Sequence, residues 1–173
     1  MNPSVLIREY RESDVEPSYA AVRESMAELG RWMPWCHPSY SLEDARGWVS
    51  GAAARLAESA AFEFVISNSS GEFLGGCGLN QIRPLDRVAN LGYWVRSSQA
   101  AKGIATSAAR QVADWAFAHT DLIRLEIIMG TANAPSRRVA EKIGAEYEGV
   151  LRKRFFLNGR SEDALMFAVI RAD

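Results

Sequence analysis

The chain has 173 residues, of which 48% are apolar and 24% are charged, which is ordinary for a globular protein and fits one domain over residues 1–173. The net charge of −1 gives no overall attraction to nucleic acid or to an anionic membrane, so neither partner is expected. The two cysteines have no partners at metal-ligand spacing, so the sequence predicts neither a disulfide framework nor a metal site. Neither a secretory leader nor an apolar run of about 18 residues is found, which predicts a cytoplasmic protein.

The first third of the chain predicts one strand followed by two helices. Apolar residues indicate a strand over residues 5–10. Ser13, followed three residues later by Glu16, has the pattern of a capping box, and the apolar period after it predicts a helix that ends before Gly30. A loop rich in aromatic residues and proline, the aromatic loop, follows at residues 32–40, and a second capping pattern at residues 41–44 begins another helix.

The remaining elements alternate between strands and helices. Strands are predicted over residues 62–67, 73–82, 88–95 and 125–129, and helices from Ala105 and from Asn133 to Gly144. Two last strands, over residues 146–156 and 162–170, are joined by Asn158 and Gly159 in a type I′ hairpin turn. This order predicts a mixed α/β architecture, in which a central sheet is flanked by helices.

One loop has the composition of a phosphate-binding turn. A strand leads through small residues directly into a helix, where free backbone N–H groups and the helix dipole favour an anion. Lys102 adds a full positive charge, and Gly103 and Ala105 keep bulky side chains away. Five consecutive residues form this candidate pyrophosphate site: Lys102, Gly103, Ile104, Ala105 and Thr106. The same pattern also fits an ordinary glycine-containing turn between a strand and a helix.

A second polar helix start follows about thirty residues later, after the next strand. Asn133 is placed to cap this helix, and Ser136 adds a hydroxyl group at the same end. Helix capping explains either residue alone. It does not explain why two such helix starts follow each other with one strand between them.

These motifs together resemble the GNAT N-acetyltransferases, and they are most similar to the subgroup that includes ribosomal-protein N-terminal acetyltransferases. The resemblance covers nearly the whole chain and rests on four strings in order: LGYWV at residues 91–95, KGIAT at 102–106, Asn133-x-x-Ser136 and EKIG at 141–144. It implies a mostly antiparallel sheet of about seven strands with four helices, splayed between the fourth and fifth strands. It also implies acetyl-CoA as the acetyl donor and a primary amine as the acceptor.

The resemblance further implies a role for each residue of the site. Residues 102–106 hold the pyrophosphate of CoA, and pantetheine lies beside Trp94, Val95 and Asn133. A backbone N–H near Tyr93 or Trp94 is the donor to the thioester oxygen. Ser136 protonates the departing thiolate.

Two positions depart from the pattern of the family. Ala100 stands where the phosphate loop usually begins with Gln or Arg, and Gln99 lies one residue away. Asn90 stands where many members carry a glutamate as general base, and an amide takes no proton near neutral pH. Ordered water, His37 or Glu126 remain candidate bases. Because of Asn90, a catalytically weak acyl-CoA-binding module is the alternative to an enzyme.

The aromatic loop is the candidate wall for the acceptor. Trp32, Trp35 and His37, together with Asn90, are the predicted acceptor-binding residues. Packing of these aromatic residues in the core is the competing interpretation. Basic residues at 137–138 and 152–154 fit either attraction of an acidic protein or an ordinary solvated face. The exposed edge of the last hairpin is a candidate interface for a homodimer.

Overall fold

A computed structural model describes residues 5–157 and 159–172. The described residues form one seven-stranded sheet in the order β1-β2-β3-β4-β5-β7-β6. Its strands are β1 (Val5–Glu9), β2 (Phe62–Asn68), β3 (Phe73–Arg83), β4 (Val88–Val95), β5 (Arg124–Gly130), β6 (Glu146–Leu157) and β7 (Arg160–Ile170). The predicted sheet of seven mostly antiparallel strands is thereby confirmed. Asn158 of the predicted hairpin turn lies outside the described residues.

The helical part differs from the prediction in number. The described residues contain five α-helices rather than four: α1 (Val15–Glu24), α2 (Met26–Leu29), α3 (Leu42–Ala57), α4 (Ile104–His119) and α5 (Ala134–Lys142). The extra helix arises because the first predicted helix breaks at Ser25. The N–H of Ser25 is shared between the carbonyls of Ala21 and Val22, which closes α1, and the carbonyl of Ser25 then begins the short turn α2.

The predicted start of the first helix is also wrong in detail. Asp14, rather than Ser13 with Glu16, organises this turn: its carboxylate accepts 2.7 Å hydrogen bonds from two nitrogens of Arg8 and one of 2.8 Å from the N–H of Arg11. A buried carboxylate that accepts charged donors gives a stronger anchor than a solvent-exposed serine. At α3 the predicted capping box of Ser41 and Asp44 is confirmed.

A gap opens in the sheet where β4 and β5 separate. The two strands are parallel, and their pairing covers only three rungs, of which the last joins Asn90 to Glu126. Beyond that rung β4 stays paired with β3 as far as Val95, while β5 stays paired with β7 as far as Gly130. The predicted splay between the fourth and fifth strands is therefore confirmed. The gap exposes strand edges whose backbone groups can bond to an extended ligand.

The two faces of the sheet pack against different helices. Helices α4 and α5 cover one face and enclose the larger core, to which β4 contributes Leu91 and Tyr93. Helices α1 and α3 cover the other face, where Trp94 packs. Within the described residues, no helix is long and apolar enough to cross a membrane.

Candidate active site between β4 and β5

The loop before α4 presents an uninterrupted row of unused backbone donors. Among the described residues, the N–H groups of residues 101–106 make no hydrogen bond, and the first bond of α4 runs from Ser107 N–H to the Gly103 carbonyl at 3.0 Å. Ala101 and Gly103 have φ angles of +61° and +77°, and alternation of left-handed and ordinary residues curves such a row around one point. The N-cap residue, Gly103, has no side chain that could satisfy these donors. The geometry is that of an anion site at a helix N-terminus.

Each residue of the predicted phosphate loop contributes in a different way. Ile104 is buried in the core, so only its backbone faces the loop, and Ala105 and Thr106 are half-buried. A Cβ on Gly103 would meet no atom within 4 Å, so the left-handed backbone, rather than lack of space, favours glycine here. Lys102 is exposed, and its ammonium folds back to the Ser98 carbonyl at 3.2 Å and to Gln99 Oε1 at 2.9 Å.

A contact between Tyr93 and Ser136 bridges the gap. The phenol of Tyr93 on β4 lies 3.0 Å from Ser136 Oγ and donates to the Ser136 carbonyl at 3.1 Å. Burial raises the pKa of Tyr93 to about 12, outweighing the lowering effect of the hydrogen bond with Ser136, so the phenol stays protonated at neutral pH. This contact holds the Ser136 hydroxyl at the edge of the gap, a role for the Tyr93 side chain that the sequence did not indicate.

Capping of α5 is carried out by Asn133 alone. Its Oδ1 accepts the backbone N–H of Ser136 at 3.2 Å, as the sequence predicts, so the Ser136 hydroxyl takes no part in the cap. The side-chain nitrogen of Asn133 donates to no group among the described residues and is available to a ligand in the gap.

The strand register shows which β4 groups face the gap. The N–H of Arg96 donates to the Leu74 carbonyl of β3 at 2.9 Å. Because the bonding direction alternates along an antiparallel strand, Trp94 also points its backbone at β3, while Tyr93 and Val95 point theirs into the gap. The register thus favours Tyr93 over Trp94 as the backbone donor to a thioester oxygen. The Trp94 side chain instead packs against Trp35.

No free general base stands at the bottom of the gap within the described part of the chain. Asn90 is half-buried and donates from Nδ2 to Asn80 Oδ1 at 2.9 Å. Its neighbour Glu126 lies on the same face of the sheet, but Oε1 of Glu126 accepts from Arg83 at 3.1 Å and from Arg124 at 3.0 Å. Two guanidinium groups therefore occupy this oxygen of Glu126.

The aromatic loop flanks the gap on the α1 and α3 face. Trp35 is 40% exposed, with its ring 6.0 Å from that of Trp94, which argues against packing in the core. Trp32 lies against the end of β5, where its ring atoms are 3.2 and 3.3 Å from the position of a Cβ on Gly130. His37 is exposed and shares a 2.9 Å hydrogen bond with Ser39.

A cavity of about 520 Å³ lies beside this loop. Its walls come from α2, from the aromatic loop and from the end of β6, where Phe156 and Leu157 close it. The lining is mainly apolar, and its basic side chains are Arg31 and His37. No carboxylate lies among the described residues that line the cavity.

Outside the cavity, the guanidinium of Arg154 on β6 lies 3.5 Å from Oε1 of Gln81 on β3.

The fold, the anion loop (residues 101–106) and the gap between β4 and β5 together define an acetyl-CoA-dependent acetyltransferase. The profile of the acetyltransferase (GNAT) domain matches residues 4–146, and the chain belongs to this family. Its donor substrate is therefore acetyl-CoA. The unused N–H groups of residues 101–106 fit the pyrophosphate of that molecule, and the open edges of β4 and β5 fit its pantetheine arm.

Named relatives narrow the subgroup. The chain is similar to the ribosomal-protein-serine acetyltransferase of Escherichia coli strain K12, at 28% identity over 98% of this chain and 94% of the relative. It is also 29% identical to the spermidine N(1)-acetyltransferase of the same strain, over 58% of this chain and 54% of the relative. A solved structure of RimL, a ribosomal L7/L12 alpha-N-protein acetyltransferase in complex with coenzyme A, matches with a TM-score of 0.90 at 26% identity, covering 96% of this chain and 94% of that one.

Proposed function

We propose that this acetyltransferase modifies the N-terminal amine of a protein, as the ribosomal-protein relatives do by name. The cavity beside the aromatic loop carries the argument. A polyamine has several positive charges and is bound through carboxylates, whereas this cavity has Arg31 and His37 and no carboxylate among its described lining residues. A peptide terminus has a single amine and polar or apolar flanks, which suit the lining. Such an acceptor also fits a cytoplasmic enzyme.

The reaction proceeds by direct attack. The neutral acceptor amine adds to the thioester carbon, and the negative charge that develops on the carbonyl oxygen is stabilised by the gap-facing N–H of Tyr93. Collapse of this intermediate breaks the carbon–sulfur bond and releases the thiolate of CoA. Ser136 gives its proton to that sulfur and recovers one from solvent, while the Tyr93 phenol holds the serine in place.

The amine proton leaves through water. Asn90 cannot accept it, and one oxygen of Glu126 is occupied by two arginine side chains. Ordered water at the end of the gap passes the proton to solvent, and His37, which is exposed on the aromatic loop, is the candidate side-chain acceptor. This route requires only that the amine arrive neutral.

A catalytically weak acyl-CoA-binding module is the competing function, because Asn90 replaces the usual glutamate. The contact between Tyr93 and Ser136 favours the enzyme. Binding of CoA alone does not need a half-buried phenol in contact with a serine hydroxyl, whereas protonation of a leaving group uses one.

The acceptor class is tested by CoA thiol release with a panel of amines. Peptides with N-terminal serine or alanine are compared with the same peptides N-terminally blocked, with spermidine and with free amino acids. The proposal predicts that the free peptides exceed spermidine at least about tenfold in kcat/KM, a difference of about 1.4 kcal/mol. A preference for spermidine would contradict the proposed acceptor, and no turnover with any amine would favour the binding module.

A further inference from the structure

The turn that leads into the anion loop is hydrogen-bonded to a distant part of the chain. This turn, at residues 97–99, makes three hydrogen bonds to the junction between α1 and α2. Ser98 N–H donates to Glu24 Oε1 at 2.8 Å, Ser97 N–H to Ser25 Oγ at 2.9 Å, and Ser97 Oγ to Glu28 Oε2 at 2.9 Å. The loop itself therefore depends on residues more than sixty positions earlier in the chain.

Arg96 strengthens this attachment. Its guanidinium bonds to both the Glu24 carboxylate and the Phe73 carbonyl, so that β3, β4 and α1 meet at one side chain. Hydrogen bonds from Arg96 and Ser98 lower the pKa of Glu24 to about 2, so the carboxylate stays charged throughout the neutral range. Ser25, which lies beside Glu24 at the same junction, is fully buried, and its hydroxyl oxygen accepts a hydrogen bond from the Ser97 N–H.

The same junction forms one wall of the acceptor cavity. Glu28 on α2 faces the anion loop, while Met26 and Ala27 of the same helical turn line the cavity. Gly30 and Arg31, directly after this turn, line it too. A single turn of helix thus contacts the CoA loop on one side and the acceptor cavity on the other.

We propose that Glu24, Ser25 and Glu28 are positioning residues that set the geometry of the pyrophosphate loop and couple its occupancy to the acceptor wall formed by α2. Their bonds use the N–H groups of Ser97 and Ser98, which leaves the next free row, at residues 101–106, as the only part of the loop aimed at phosphate. When CoA occupies the loop, these hydrogen bonds reduce the mobility of α2. This inference rests on the proposed function, with acetyl-CoA as donor and the cavity beside α2 as the acceptor site, but it does not depend on which amine is the acceptor.

For the Glu24→Ala variant, charge attraction alone and the positioning role predict opposite changes in CoA affinity. CoA carries several phosphate charges, so removal of the Glu24 carboxylate and release of Arg96 should strengthen its binding by simple Coulomb attraction. If Glu24 acts by positioning, Glu24→Ala weakens the affinity for CoA at least about fivefold, equal to about 1 kcal/mol. Calorimetry with CoA measures this directly.

Matched variants separate positioning from general damage. Glu16 lies on the exposed side of α1, and Glu16→Ala should leave the CoA affinity within about twofold of wild type. Glu28→Ala should weaken binding, whereas Glu28→Gln, whose amide oxygen still accepts the Ser97 hydroxyl, should restore it. Equal or tighter CoA binding by folded Glu24→Ala would overturn the proposal.

Hydrogen exchange tests the coupling to the acceptor wall. Saturating CoA should slow exchange of the amides of residues 28–33 in the wild type, and this protection should be lost in the combined Glu24→Ala and Glu28→Ala variant at saturating CoA. Equal protection in both proteins would overturn the coupling. Failure of the wild type to bind CoA at all would overturn the proposed function as well, so the two failures are distinguishable.

Discussion

Replacement of Ser136 by alanine separates the chemical step from cofactor binding. The hydroxyl is not used in the α5 cap, because Asn133 accepts the backbone N–H of residue 136, and alanine retains that bond. In the proposed site, acetyl-CoA is held mainly through the unused N–H groups of residues 101–106, which the substitution leaves in place. The substitution is therefore expected to leave the folded state intact and to change the binding constant for acetyl-CoA by less than about twofold.

Turnover is expected to fall much further. A positioned general acid commonly contributes about 10² to 10⁴ in rate, and a thiolate is a good leaving group, so the lower end applies here. We expect Ser136→Ala to reduce kcat about 10²-fold, or about 2.7 kcal/mol. Steady-state thiol release with a peptide acceptor gives kcat, and calorimetry gives the affinity for acetyl-CoA.

In the proposed mechanism Tyr93 acts through Ser136, which makes a double-mutant cycle informative. Loss of the phenol removes a hydrogen bond of ordinary strength, about 1 kcal/mol, so Tyr93→Phe should lower kcat about fivefold. In the Ser136→Ala background the same change should have an effect below about twofold. Fully additive losses, or a fall in kcat below threefold for Ser136→Ala, would refute this assignment of roles.

Two further predictions concern Asp14 and Asn90. Burial tends to raise the pKa of Asp14, but hydrogen bonds from Arg8 and Arg11 lower it below its ordinary value; the resulting stabilisation is present above about pH 4 and is lost as the pH falls through the folded-state pKa. Asp14→Asn should therefore lower the free energy of unfolding by about 2–3 kcal/mol at pH 7 in urea titrations, and a difference of the same size at pH 3 would contradict this cause. Asn90→Glu places a carboxylate where the family usually has its base, so activity should be retained and the rate at pH 6.5 relative to pH 8.5 should rise. An unchanged pH–rate profile would contradict a role for the new carboxylate as base, and a folded, inactive protein would show that Asn90 itself binds water or substrate.

The sequence predicted local features well. The periodic pattern defined β4 to the residue, and the pairs Ser41 with Asp44 and Asn133 with Ser136 marked two helix starts correctly. Each of these signals is local: the two capping pairs span four residues each and the pattern of β4 spans eight, so propensity and capping decide the outcome.

Long-range contacts were beyond reach of the sequence alone. The Tyr93 side chain meets Ser136 across 43 positions, and Ser98 meets Glu24 across 74. The break at Ser25 was missed because Val22 and Met26 continue the helical period through it, so that nothing local indicates a buried hydroxyl there. Contacts of this kind are specified by packing of distant elements, which no short pattern contains.

Binding of acetyl-CoA to Gly103 variants tests the account most directly. The φ of +77° makes alanine cost about 1–2 kcal/mol in a loop that has room for its Cβ, so the free Gly103→Ala loop should relax to another conformation. Binding must then restore the strained conformation, which should weaken it about tenfold. Gly103→Glu adds a carboxylate that competes with pyrophosphate for the free N–H groups, and calorimetry should detect no binding at concentrations that saturate the wild type, with an unchanged circular dichroism spectrum as the folding control. A folded Gly103→Glu protein that binds acetyl-CoA as tightly as the wild type would contradict the assignment of this loop as the CoA site.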